Sequence, residues 1–121
     1  ARRHALDHLV CTKVRSGDHD VAVALPPGSV KGRAVVILDD MASTGHTIAA
    51  AARLLTDAGA ASVDAAVTHA LFTPQAMALM QDSGIGEVWS TDCIAHASNA
   101  VEMAPLLAGA LAQLGSTLPS A

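Results

Sequence analysis

Residues 35–48 read VVILDDMASTGHTI, and the fold turns on this run. Residues 34–38, AVVIL, form a short, unbroken, largely β-branched apolar stretch. Such a stretch suits a strand covered on both faces, as in a parallel sheet. Lys31-Gly32-Arg33 makes a turn before it. Asp39 and Asp40 follow, then a polar loop containing Gly45. From Thr47 to Ala58 the pattern is helical: Ile48, Ala51, Ala52, Leu54, Leu55 and Ala58 share one face at three- and four-residue spacing. Gly59 is a natural stop.

Working outward, residues 62–67 (SVDAAV) and 87–90 (EVWS) are further strand candidates. Between them Thr73 can cap a helix with Pro74 at its first position, and Gly84 ends it. Ala76, Met77 and Met80 supply its inner face. A last helix carries Met103, Leu106, Leu107, Ala110, Leu111 and Leu114 on one stripe, with Pro105 in its first turn. The alternation β-α-β-α-β-α predicts a single α/β domain with a mostly parallel sheet flanked by helices and right-handed crossovers. Residues 9–25 read differently, as two short extended pieces around Ser16-Gly17-Asp18. A short helix over 2–9 would place His4 and His8 on one surface face. The tail, 116–121, should fray.

At 121 residues the chain has room for one domain. Hydrophobic residues are 51% and charged residues 15%, a core-rich composition that excludes disorder. Asp39, Arg53, Asp57 and Glu102 interrupt the apolar segments, so no run is long enough to span a membrane. The start, ARRHALDH, has no apolar run of signal-peptide length. A net charge of −4 with no Lys/Arg cluster beyond Arg2-Arg3 argues against a general nucleic-acid binder, and one Phe, one Trp and no Tyr exclude a stacking platform. Cys11 and Cys93 follow no metal spacing and read as buried thiols in a reducing, cytoplasmic setting. None of the six histidines (His4, His8, His19, His46, His69, His96) stands at zinc-like spacing. His69 reads as a hydrogen-bonded structural residue and His96 as loop or interface. Met77, Met80 and Met103 read as core, and Trp89 as packing or interface.

The chemistry concentrates in residues 39–47. In open α/β sheets, ligands bind outside the carboxyl ends of the strands. There Gly45 would let the backbone approach an anion. Ser43, Thr44 and Thr47 offer hydroxyls, and the first-turn amides of the helix have no internal partner. Asp39 and Asp40 would repel a phosphate, but they suit sugar hydroxyls or a Mg²⁺ bridging to them. A Ser/Thr-capped helix after an acidic strand end is the competing reading. It accounts for Ser43 or Thr44, but not for two acids, two threonines and a glycine packed together.

DDMASTGHT resembles the PRPP-binding signature of type I phosphoribosyltransferase-fold proteins. Four further segments narrow the resemblance to the ribose-phosphate pyrophosphokinases (PRPP synthetases): THALF at 68–72, STDCIAH at 90–96, VEMAPLLAGAL at 101–111, and KVRSGDHDV at 13–21. The last is similar to their flexible catalytic loop, here residues 10–25. The match runs from about residue 10 to 111.

The resemblance implies a type I phosphoribosyltransferase-like fold. It also implies transfer of diphosphate from MgATP to ribose 5-phosphate, giving PRPP and AMP. Ser43, Thr44, Gly45, His46 and Thr47 would bind the 5-phosphate. Asp39 and Asp40 would hold the ribose hydroxyls and the sugar-bound Mg²⁺. Lys13 and Arg15 would close over the ATP phosphates, where the bare pair reads as a solvated surface feature. It further implies a homo-oligomer, and a chain that is the C-terminal portion of a two-domain protein, inactive alone. His46 and Ala95 depart from the family, which favours a small residue and Pro there. Two alternatives stay open: a phosphoribosyltransferase that consumes PRPP, which shares the phosphate loop but not THALF or STDCIAH, and a non-catalytic, ligand-sensing subunit.

Overall fold

A computed structural model describes residues 6–16 and 20–115. The elements are β1 (Thr12–Ser16), β2 (Asp20–Ala24), β3 (Ala34–Ala42), α1 (His46–Asp57), β4 (Ser62–Ala70), α2 (Pro74–Asp82), β5 (Val88–Thr91), β6 (Asn99–Val101) and α3 (Ala104–Gly115). β1 and β2 form an antiparallel hairpin. The other strands make one parallel sheet in the order β3-β4-β5-β6. This is an α/β fold. No described helix is long and apolar enough to cross a membrane.

Strand register explains which residues make the core. Val35, Ile37 and Asp39 pair with Val63, Ala65 and Val67, and Ala65 and Val67 pair in turn with Val88 and Ser90. These rows are buried or half-buried. α1 and α2 pack on each other, and α1 packs on β3 and β4. Ile48, Ala52, Leu55, Ala76 and Met80 join the sheet residues in the core. Both helices end alike. The Gly59 amide donates to the Thr56 carbonyl and the Ala60 amide to that of Leu55, with Gly59 at φ 86°. Gly84 and Ile85 make the same pair of bonds to Gln81 and Met80.

Several expectations need correction. β3 has only one covered face: Val36 and Leu38 alternate with the buried row and are 47% and 77% exposed. Among the described residues no layer lies over them. β3 runs through Asp39 and Asp40 to Ala42, because pairing with β4 continues to Met41↔His69 and Ala42↔Ala70. The three-residue β6 was not expected, since no apolar run marks it. On α1, Ala49 is buried while Leu54 and Ala58 are exposed. α3 forms where its stripe predicts, but Leu106, Leu107, Leu111 and Leu114 are exposed. Met77 and Met103 are half-buried, unlike the fully enclosed Met80. Cys11 and Cys93 are exposed thiols, since neither lies in a strand or helix that faces the core. Residues 6–11 lie in no helix or strand. The rest of the expected 2–9 helix, with His4, and the tail 116–121 fall outside the described residues.

Candidate anion-binding site

β3 carries Asp39 and Asp40 to its carboxyl end, and the pleat splits them. Asp39 continues the half-buried row of Val35 and Ile37, whereas Asp40 continues the exposed row of Val36 and Leu38. An Asp39 carboxylate oxygen accepts the Asp40 backbone N–H at 3.0 Å. The chain then bends through residues 43–45 into α1. Ser43, Thr44 and His46 are exposed, Thr47 is half-buried and Gly45 is buried. One strand end, one bend and one helix start thus place Asp39, Ser43, Thr44, Gly45, His46 and Thr47 in one short segment, with Asp40 in the same segment but on the opposite face of β3 from Asp39.

Gly45 is the N-cap of α1, at φ 76° and ψ −8°, and no side chain caps this helix. This matters because two hydroxyl residues stand directly before it. Neither Ser43 nor Thr44 spends its oxygen on a first-turn amide, so the capping reading of those residues fails. α2 shows the contrast: its Thr73 side chain accepts the Ala76 N–H at 3.4 Å. The α1 terminus therefore leaves first-turn backbone donors without a side-chain cap, at the positive end of the helix dipole and beside the exposed Ser43 and Thr44. That arrangement suits an anion.

Gly45 also fixes the bend against α2. A Cβ on Gly45 would lie 3.1 Å from the Ala76 carbonyl oxygen and 3.1 Å from Met80 Cγ. α2 is thus the floor on which the bend rests.

Lys13 and Arg15 lie in the hairpin, Lys13 opposite Val23 and Arg15 opposite Val21 in β2. Their side chains fall outside the described residues. β2 lies beside α1.

The carboxyl ends of β4 and β5 hold a second polar cluster. The Thr91 hydroxyl donates to the Thr68 carbonyl at 2.7 Å. His96 Nε2 lies 3.1 Å from the Phe72 carbonyl oxygen, and its Nδ1 lies 2.8 Å from Ser98 Oγ and 3.1 Å from Ser98 N. Ser98 Oγ is 2.8 Å from Ser90 Oγ, and Asn99 Nδ2 donates to Ser90 Oγ and to the carbonyls of Thr91 and Ile94. The His96 ring meets Phe72 edge-on at 4.4 Å. The sequence points to His96, whereas Ser98 and Asn99 carry only the weak signal of two small polar residues just past STDCIAH, in 97–100 (ASNA).

Comparison with known proteins fits this geometry. Residues 9–113 match the model of the phosphoribosyl synthetase-associated domain. The chain is 34% identical over 114 residues to a ribose-phosphate pyrophosphokinase of Methanosarcina acetivorans, covering 94% of this chain and 40% of that protein. It is 39% identical over 108 residues to the enzyme of that name from Methanopyrus kandleri, covering 89% and 36%. Among solved structures, the phosphoribosylpyrophosphate synthetase of Mycobacterium smegmatis matches with a TM-score of 0.58 at 30% identity, over 84% of this chain and 36% of that one. The chain thus spans well under half the length of these relatives. The chain therefore belongs to the phosphoribosyl synthetase-associated domain family, with ribose-phosphate pyrophosphokinases among its relatives.

Proposed function

We propose that this chain supplies the ribose 5-phosphate site of a ribose-phosphate pyrophosphokinase, which transfers diphosphate from MgATP to ribose 5-phosphate and releases AMP. The observation that carries the reading is the uncapped start of α1 at Gly45, with unspent hydroxyls beside it and two carboxylates at the adjacent strand end. The 5-phosphate sits on the amides of residues 43–47, held also by the hydroxyls of Ser43, Thr44 and Thr47. His46, exposed at the first helical position, adds a donor at the rim. Asp39 and Asp40 accept from the ribose hydroxyls.

The donor set suits Mg²⁺. That ion is commonly held by one or two carboxylates plus substrate oxygens rather than by an all-protein cage. Among the described residues no group of three or more His, Cys, Asp or Glu side chains forms such a cage. Asp39 and Asp40 would hold the ion, and an ion held there would neutralise developing phosphate charge. Diphosphoryl transfer needs positioning and charge neutralisation more than a covalent protein group. Lys13 and Arg15 supply cations for the ATP phosphates, Arg15 as a planar fork and Lys13 as a point charge. The reading carries a homo-oligomeric, cytoplasmic protein with it.

Phosphorus NMR and calorimetry of the chain with Mg²⁺ and ribose 5-phosphate test the site. Saturable binding is expected, with ribose itself binding far more weakly. Thr47→Val removes one hydroxyl and keeps the shape. A hydrogen bond to a charged group contributes about 1.5–3 kcal/mol, so the loss should be about tenfold to a hundredfold. Equal binding of ribose and ribose 5-phosphate, or none of either, would overturn the reading.

A further inference from the structure

We propose that His96 is a positioning residue for the anion-binding bend, acting through the start of α2. The inference rests on the reading of residues 43–47 as a phosphate site.

The hydrogen-bond partners fix the imidazole. Nε2 faces a carbonyl oxygen, that of Phe72, which can only accept, so Nε2 carries the proton. Nδ1 faces the Ser98 backbone N–H, which can only donate, so Nδ1 is the acceptor. The direction of the chain follows. Asn99 Nδ2 donates to Ser90 Oγ, Ser90 to Ser98 Oγ, Ser98 Oγ to His96 Nδ1, and His96 Nε2 to the Phe72 carbonyl. Ser90 and Ser98 are buried, so neither can exchange this partner cheaply for water. The chain has one direction and one end point, the backbone of residue 72.

Position 72 is one residue before the Thr73 cap, and α2 begins at Pro74. The buried Phe72 ring packs edge-on to His96, so ring and carbonyl are both held. The first turn of α2 in turn carries the Ala76 carbonyl against which Gly45 is seated. His96 therefore reaches the bend through two contacts: its own bond to Phe72, and the α2 backbone beneath Gly45. It stands on the β5–β6 connection and is assigned no contact with a ligand.

Two variants separate the two bonds of the ring. His96→Gln can place an amide N–H near Nε2 and keep the bond to Phe72. His96→Asn can keep an acceptor near Nδ1 but cannot reach the Phe72 carbonyl. Hydrogen exchange of the ligand-free chain reads the coupling at three bonded amides: Ala49, which donates to the Gly45 carbonyl, and Ala76 and Met77, which donate to Thr73. In His96→Asn these three should exchange on the order of tenfold faster, while the amides of β3 and β4 do not change. In His96→Gln they should stay near wild type. Nitrogen-15 NMR of the wild-type ring should show Nε2 protonated and Nδ1 bare.

Ribose 5-phosphate titration then follows, with dissociation weakened several-fold in His96→Asn and restored in His96→Gln. A uniform rise in exchange across the sheet, or no rise at Ala49, would overturn the assignment. If the coupling at Ala49 appears but wild type does not bind ribose 5-phosphate, the positioning of the bend stands and its reading as a phosphate site falls.

Discussion

Gly45 bears two demands at once, a left-handed backbone at φ 76° and a seat against α2. Gly32 has a similar φ, 71°, but nothing lies within 4 Å of where its Cβ would go. The pair therefore separates strain from contact. An Ala in the left-handed region costs about 1–2 kcal/mol, so Gly32→Ala should lose roughly that in urea unfolding. Gly45→Ala should lose more, because its methyl would press on the Ala76 carbonyl, and ribose 5-phosphate binding should fall with it. Equal losses would mean that α2 gives way freely and is no floor for the bend. Of these two demands only the first was legible in the sequence. A Gly in a phosphate-loop pattern announces backbone freedom, but its contact with Ala76 crosses two elements and no local pattern encodes it. The same holds for Ser98, whose role depends on a ring two residues away and a carbonyl from another loop.

At the scale of elements, the two helix starts are the informative contrast. α2 is capped by Thr73 and led by Pro74, as its sequence reads. Thr73→Ala should lower stability by about 0.5–1 kcal/mol, the lower part of the range for such caps, since its bond is long at 3.4 Å. Ser43→Ala and Thr44→Ala should stay within about 0.5 kcal/mol in the same urea titration, because neither caps α1. A loss of about 1 kcal/mol in either would return these hydroxyls to an ordinary structural role. α1 was legible because burial on one face imposes a period, with Ile48, Ala52 and Leu55 recurring at helical spacing, whereas β3 was legible as the unbroken apolar run 34–38, which carries no sign that one of its faces is bare. The ends were less so. β3 outruns its apolar stretch because hydrogen bonding to β4 does not stop where hydrophobicity does, so the two acids lie inside the strand. β6 has three residues, an irregular register with β5, and no periodic signal at all.

For the molecule as a whole, the sheet is one-sided. The helix-covered face is a packed core, and the other shows Val36 and Leu38 to solvent. α3 adds Leu106, Leu107, Leu111 and Leu114, and it packs on no other element among those described. A contiguous apolar surface of several hundred Å² drives association, and a net charge of −4 opposes it only weakly. The chain should therefore self-associate with rising concentration. Sedimentation velocity over a wide concentration range would show the sedimentation coefficient climbing. Leu38→Glu and a paired Leu107→Glu, Leu111→Glu variant mark the two faces separately. Neither removes a buried contact, so both should keep the helical and strand signal of wild type. Whichever face drives association should release a monomer when charged; ribose 5-phosphate binding should survive in the α3 variant, while Leu38→Glu, which adds a charge in the row of Asp40, is read for association alone. A chain that sediments as one concentration-independent monomer would show that these leucines are tolerated as bare surface.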